Sequence, residues 1–560
     1  MLFTALSSDC VPPRVCGKLT QSLVGHSIPF HIFFFTRFFS VHPTMNPTCL
    51  LDIVEIRLLV AKYLVRTDWT VCALVCKDWN STFSPFLYAK VYVALCRVLV
   101  HDPLFNPPID SVIRNKDFVK SFEFDGGLSL GYSAMVSAMV FPSLTILSMS
   151  FPSSRRNPDV ADMILRNPTL THLSLERVAV PDSIANSSVR LWRAVAELPH
   201  LESLRVSRQR IGSSIDEVYA FWDACARPKT LSLSLISYEY HRCPTARRVR
   251  GSYMLTAISS RAFSQTQELS ILQCRFSLFL QTLLIKKCQR LKTLKWMPLS
   301  EVYGTRTPLK LVFSSVLSER QQEQRLASST SSELLPTDLD LSQTMDLEEA
   351  YASVIRACSG MPVEELVVAD LEFGTSSIGA LEEHLPTLRH VDLGGCSGVT
   401  SPLVLHFLKS CPRLENFAAH QLCSVDILCD GDDEVWACER TLRRLRVHID
   451  VGDVGGDTGP NELILKRLGR LQALELLDVV KQPHQLLKFQ LSEGLWRLGG
   501  LKRLRVLSIR DCALSLEDVE WMVKHWPLLQ CMDGPPVLDE QAEGYLRRRG
   551  IGVVADEVNT

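Results

Sequence analysis

From Leu144 onward the chain keeps returning to one six-residue pattern, L-x-x-L-x-L. It reads LTILSM at Leu144, LTHLSL at Leu170, LESLRV at Leu201, LKTLKW at Leu291 and VEELVV at Val363. It continues as LRHVDL at Leu388, LENFAA at Leu414, LRRLRV at Leu442, LQALEL at Leu471 and LRVLSI at Leu504, with weaker copies around Leu231 and Leu269. Alternation of this kind marks a short strand with one buried face. Leu388, Leu414, Leu442 and Leu471 stand 26, 28 and 29 residues apart, which leaves room for a helix after each strand. Helical period does return between copies, in SPLVLHFLKSC (401–411) and LEDVEWMVKHW (516–526). Pro-x-Leu punctuates the passage from helix to strand in FPSL, NPTL, LPHL, LPTL, CPRL and WPLL, since proline cannot continue the helix. One such unit cannot hide its own leucines, whereas stacked units share a continuous core.

A period of this length is that of leucine-rich repeats, a strand plus a helix per unit. An array also suits a chain of 560 residues, too long for one ordinary domain. With 60 basic and 61 acidic residues the net charge is −1, and nothing in that balance draws the chain to nucleic acid or an anionic membrane. None of the 18 cysteines forms a C-x-x-C pair, which counts against a zinc or thioredoxin-like site. Cys72 and Cys76 sit in apolar runs as small hydrophobes, as reduced thiols of a cytoplasmic or nuclear protein do. No G-x-S-x-G, H-E-x-x-H or Walker sequence is present, which makes a hydrolase or nucleotide enzyme a weak reading, and no cofactor or metal is expected.

The flanks and interruptions carry little chemistry. Residues 28–41, IPFHIFFFTRFFSV, fall short of the ~18–20 residues that span a bilayer, and Arg37 interrupts them. They lack the small-residue cleavage pattern of a signal peptide. Residues 1–45 are expected to be a disordered or untranslated leader, with Met45 opening MNPTCLLDIVEI as the more natural start. Residues 317–347, rich in Ser, Thr, Gln, Glu and Asp, read as a disordered insertion. The glycine-rich 450–460 and the acidic 429–434 read as loops, lacking phosphate-binding and calcium-binding spacing.

Residues 46–93 differ from the rest. Ile53, Ile56, Leu59, Val60, Tyr63 and Leu64 share one face of a helix over 50–64. Thr67 or Asp68 offers an N-cap to a second helix from Trp69 to Trp79, and Asn80 or Ser81 opens a third with Pro85 near its start. Ile53, Val54, Ile56, Trp69, Val75, Trp79 and Tyr88 are more apolar bulk than so small a block can hide. Such surfaces mark a partner site, although a block that merely caps the first repeat has the same composition.

The block resembles an F-box. IVEI (53–56), Tyr63-Leu64, VCKDW (75–79) and Tyr88 after Pro85 stand where that family carries its motif, in the manner of fungal F-box/leucine-rich repeat proteins. Val54 replaces the usual proline, Trp69 the middle leucine, and Tyr88 a frequent tryptophan. LRHVDLGGCSGVTSPLVLHFLKSCPRL (388–414) is similar to the cysteine-containing repeat of the same proteins, with Cys396 closing the strand and Cys411 preceding the next. The resemblance implies a substrate receptor of an SCF-type cullin–RING ubiquitin ligase. Ile53, Val54, Ile56, Tyr63, Leu64, Trp69, Val75, Trp79 and Tyr88 would meet a Skp-type adaptor, and through it the cullin and RING subunit. The repeats would hold an unknown protein target.

The expected architecture is α/β: a three-helix F-box at 46–93, a linker or cap at 94–139, a solenoid with parallel strands inside and helices outside at 140–534, and a tail or cap at 535–560. Residues between the buried leucines point to the concave face. His390, Asp392, Asn416, Arg444, Arg446, His448 and Arg510 are the candidate target contacts there, joined by Glu475 and Ser508. Arg444, Arg446 and Arg510 could grip a phosphate, but a solvated or ion-paired face is the commoner use of such residues. A repeat scaffold with no ligase is the alternative function.

Overall fold

A computed structural model describes residues 54–94, 108–125, 138–150, 160–177, 187–212, 214–238, 253–299, 307–313, 346–369, 373–396, 398–423, 435–450, 460–480, 487–509, 512–533 and 537–554. Ile53, Arg510, the 1–45 leader, the 429–434 loop and nearly all of the 317–347 insertion lie outside the described residues. The chain divides into two compact units, the first ending essentially at Leu173 and the second holding most of the chain beyond it.

In the first unit three helices come first: α1 (Val54–Ala61), α2 (Arg66–Ala73) and α3 (Lys77–Ala89). The second helix is shorter than its periodicity predicts. Leu74 and Val75 donate to the Val71 and Cys72 carbonyls three residues back, which tightens the last turn, and Cys76 then turns extended. Asp68 acts as third residue rather than cap, accepting the Val65 N–H at 3.2 Å. Helix α3 begins at Lys77, so Pro85 falls in its interior, where it cannot donate to the Ser81 carbonyl. Ala61, Ala73 and Phe83 form the centre of the block, ringed by Leu64, Trp69, Cys72, Trp79, Phe86 and Leu87.

Helix α3 runs directly into β1 (Lys90–Ala94), which pairs in parallel with β2 (Ser121–Asp125), and β2 pairs in parallel with β3 (Ile146–Ser150). The stretch read as a linker, 94–139, therefore already holds a strand of the array, β2. Val119, Phe122 and Phe124 fill the three buried positions of a repeat, the phenylalanines standing where later copies carry leucine. Leu144, Leu147 and Met149 are buried as expected, as are Leu173 and Leu175 of β4 (His172–Glu176).

In the second unit β5 (Ser203–Ser207), β6 (Thr230–Ser234), β7 (Glu268–Leu272) and β8 (Thr293–Met297) are parallel, with Leu204, Leu231, Leu269 and Leu294 in register. The weak copies at Leu231 and Leu269 are thus full strands. Next, β9 (Thr307–Phe313) runs antiparallel to both β8 and β10 (Val363–Ala369). Parallel pairing resumes through β11 (His390–Leu393), β12 (Asn416–Cys423), β13 (Arg444–Asp450), β14 (Leu476–Val480), β15 (Val506–Ile509), β16 (Cys531–Asp533) and β17 (Gly552–Val554). The helix Glu540–Arg548 precedes β17, so the segment read as a tail or cap adds one more helix and strand to the array. Helices such as Ser187–Glu197, Ile215–Cys225, Ser401–Ser410 and Leu516–His525 return the chain between strands. The second unit is therefore an α/β repeat array with one reversed strand in it.

One copy is shifted. Leu477 lies beside Leu445 of β13 and Leu507 of β15, so the repeat opens at Leu474 as LELLDV, three residues after LQALEL. Leu471 and Leu474 are both buried, which makes the sequence alone ambiguous, while Leu476 turns to the other face and is only half-buried. Glu475 accordingly precedes the strand, and its carbonyl receives the Arg505 and Val506 N–H groups.

Four strands end alike. Arg177, Arg208, Leu235 and Gln273, each just past β4 to β7, adopt φ of 50°, 53°, 54° and 52°. In the second unit the N–H groups of Arg208, Leu235 and Gln273 bond the carbonyls of Ser234, Leu272 and Met297 at 2.8–2.9 Å, so the ladder continues as the chain turns away. A side chain in this region costs about 1–2 kcal/mol, least for asparagine. Arg177 is exposed, and Arg177→Asn is expected to stabilise the protein by about 0.5–1 kcal/mol, read as a rise in the denaturant midpoint.

Candidate functional site

The helical block keeps a small apolar centre and leaves other large apolar side chains exposed. On α1 the residues withdrawn from water are Arg57 and Ala61, while Val54, Leu58 and Leu59 face out. On α2 only Ala73 is buried; Val71 on the helix and Leu74 and Val75 just past its end are exposed. Val65 and Tyr63 between the helices are exposed too; Leu59 is 56%, Tyr63 78% and Leu74 69% accessible. Eight large apolar side chains of the block are thus exposed among the described residues, and exposed apolar surface is what marks partner sites.

The expected adaptor contacts divide over this surface. Val54, Tyr63 and Val75 are exposed, and Ile56 and Tyr88 are half-buried. Leu64, Trp69 and Trp79 pack against the block's own centre. The Trp69 indole donates to the Ala61 carbonyl at 2.8 Å, and its ring lies 5.6 Å from Phe86. Trp79 sits 5.6 Å from Phe83. The expected contacts leave out Leu58, Leu59, Val65, Val71 and Leu74; Leu59 lies on the apolar face that the periodicity marks, but periodicity does not tell which partner covers a face.

In the second unit the candidate target contacts lie across β11 to β15. His390, Asn416 and Arg444 are lateral neighbours in one row, and Asp392, Ala418, Arg446, Asp478 and Ser508 form the next. Asn416 Nδ2 lies 2.6 Å from His390 Nδ1, the amide donating. Arg446 Nε bonds Asp478 Oδ2 at 2.7 Å, and Asp392 accepts the Gly394 N–H at 3.0 Å. Arg446 is therefore already neutralised. Arg444 is exposed and makes no ion pair among the described residues. His448 is 3% accessible, although strand alternation would place it with Arg444 and Arg446. It lies opposite Val480 of β14, while β12 shifts register between Ala419 and Leu422 and runs on to Cys423, so both neighbouring strands flank it.

Among the described thiols of this unit, Cys274, Cys411 and Cys438 are buried. Burial pushes Cys274, Cys411 and Cys438 from an ordinary 9.0 up to about 12. In the first unit burial, helped by Asp68, raises Cys72 to about 11. Neutral at physiological pH, these groups are expected to resist iodoacetamide at pH 8 in the native protein and to react fully once it is unfolded. Each folded pKa exceeds the unfolded one, so the stabilisation is complete below pH 9 and is lost as pH rises towards 12. No group of His, Cys, Asp and Glu suited to a metal ion occurs among the described residues, and no described helix is long and apolar enough to cross a membrane.

No family model matches the chain, and no curated protein matches it. Among solved structures, a Bacteroides fragilis protein is similar at 15% identity, covering 32% of this chain and 60% of its own, with a TM-score of 0.23. The chain thus spans under two thirds of that protein's length. A complex of TLR13 with ssRNA13 is similar at 11% identity over 78% of this chain and 71% of that one, with a TM-score of 0.30. The Rad7 and Elc1 complex of yeast is similar at 12% identity over 90% and 97%, with a TM-score of 0.27. Superpositions this loose carry no argument about fold or function.

Proposed function

We propose that the chain is the substrate-recognition subunit of an SCF-type cullin–RING ubiquitin ligase. In this reading α1 to α3 dock a Skp-type adaptor, which connects to cullin and the RING subunit, and the repeat array holds the target protein. The chain contributes no catalytic residue, and transfer of ubiquitin belongs to its partners. The observation that carries the proposal is the outward-facing apolar set on α1 and α2, joined to the motif resemblance in the same block. Burying such side chains against a foreign subunit is what an interface of aromatic and aliphatic anchors does. Co-expression with a Skp-type adaptor tests it: co-purification in stoichiometric amount supports the reading, and free adaptor refutes it.

A second reading keeps the repeat array as a protein-binding scaffold and gives the helical block no adaptor. The internal packing of Leu64, Trp69 and Trp79 favours it, since three motif positions already serve the block itself. The same co-purification separates the two.

A further inference from the structure

We propose that the row Arg205–Ser232–Ser270–Lys295 on β5 to β8 docks an extended acidic segment of a partner protein, taking two carboxylates four residues apart. The proposal rests on the reading that the array holds a protein, and it names the chemistry of that protein's docking segment. The four residues are lateral neighbours in successive parallel strands. Arg205 and Lys295 are exposed and make no ion pair among the described residues; the half-buried serines between them offer hydroxyl donors.

Charge on this face is left unbalanced. Lys310 of β9 stands directly opposite Lys295, a like-charge pair that costs energy unless an anion lies nearby. The one carboxylate bonded to this pair, Glu365, is taken by Lys310. In the row beside it, Ser203, Thr230, Glu268 and Thr293 bring a single acid, and the Thr230 hydroxyl lies 3.4 Å from it. By contrast Arg446, on β13, carries its own Asp478.

Spacing sets the length of the segment. Three inter-strand steps put Arg205 and Lys295 about 14 Å apart. An extended chain advances ~3.3–3.6 Å per residue, so four residues bridge them. Arg205 has Ser232 beside it, and Lys295 has Ser270 on one side and, on the other, Lys310 already paired with Glu365, so each end offers one uncommitted cation. That suits one monoanionic carboxylate apiece, whereas a phosphoserine dianion gathers several cations around one group.

The test uses the full chain and a fluorescent Gly/Ser peptide carrying two glutamates at i and i+4, followed by anisotropy. Arg205→Glu with Lys295→Glu is expected to weaken binding at least tenfold, and Arg205→Gln with Lys295→Gln to weaken it less. Moving the glutamates to i and i+2 is expected to weaken binding as well. Unchanged binding by the reversed variant, or tenfold tighter binding of a peptide with phosphoserine at the same two places, overturns the proposal. Adaptor capture by the reversed variant, measured on the same preparation, is expected to equal wild type. Failure of the strip therefore leaves the docking of α1 to α3 standing, and failure of that docking leaves the strip standing.

Discussion

Replacing Leu59 and Leu74 together by glutamate is expected to abolish capture of a Skp-type adaptor, with at least a hundredfold loss of affinity and little change in stability. Both side chains are more than half exposed in the free protein, on α1 and just past α2. Surface changes of this kind alter stability by about 0.5 kcal/mol or less. In a complex the part of each leucine still exposed would be withdrawn from water, contributing about 1–2 kcal/mol apiece. Losing two comes close to the roughly 2.8 kcal/mol that a hundredfold change requires, and the cost of burying two carboxylates carries the loss past it. Trp79→Ala is a poorer probe of the same surface, since Trp79 packs on Phe83 and its loss loosens the block itself. Capture equal to wild type by the double glutamate variant, with unchanged unfolding, would remove the adaptor from this surface.

The second large effect lies at the reversed strand. Trp296→Ala is expected to cost about 3–5 kcal/mol, the usual range for emptying a buried tryptophan site. Trp296 belongs to β8 and is 1% accessible. Its indole donates to Gln281 Oε1 at 2.7 Å. Its ring meets Tyr351, on the helix Leu347–Ala357, edge-on at 5.2 Å, and Tyr351 meets Phe373 at 5.8 Å. These contacts join the strands before β9 to the helix that follows it, across a place where the repeat is broken. Gln281→Leu should cost less, about 1–3 kcal/mol, because it takes the acceptor from the indole N–H and the side-chain donor from the Phe276 carbonyl but empties no large site. Denaturant unfolding followed by fluorescence checks both. A loss under about 1 kcal/mol for Trp296→Ala would mean that this seam is held elsewhere.

Much of this arrangement was legible in the leucines. Leu388, Val391 and Leu393 are buried as their alternation requires, and so are Leu442, Leu445 and Val447. Alternation fixes which side chains turn inward, but it is blind to strand direction. Leu309, Leu311 and Phe313 alternate like any other copy, and nothing in them records that β9 runs backwards. Register is also underdetermined where leucines crowd. Leu471, Leu474, Leu476 and Leu477 allow two readings, and only pairing with Leu445 and Leu507 chooses between them. Phe122 and Phe124 fall outside any pattern written in leucine, although they supply the same apolar volume on one face. In the helical block Val54, Tyr63 and Val75 lie exposed, whereas the Trp69 indole N–H is tied to the Ala61 carbonyl within the block, a difference that residue type alone does not carry. On the strand face, position alone could not show that Asp478 neutralises Arg446 or that His448 is covered.

The central claim is that the apolar side chains left open on α1 and α2 are covered by a foreign subunit. Hydrogen–deuterium exchange of the full chain with and without a purified Skp-type adaptor tests it most directly. The expected result is slowed exchange confined to residues 54–76, with the strands from β5 onward unchanged. Equal exchange at 54–76 in both samples, or protection appearing only among the strands, would contradict it.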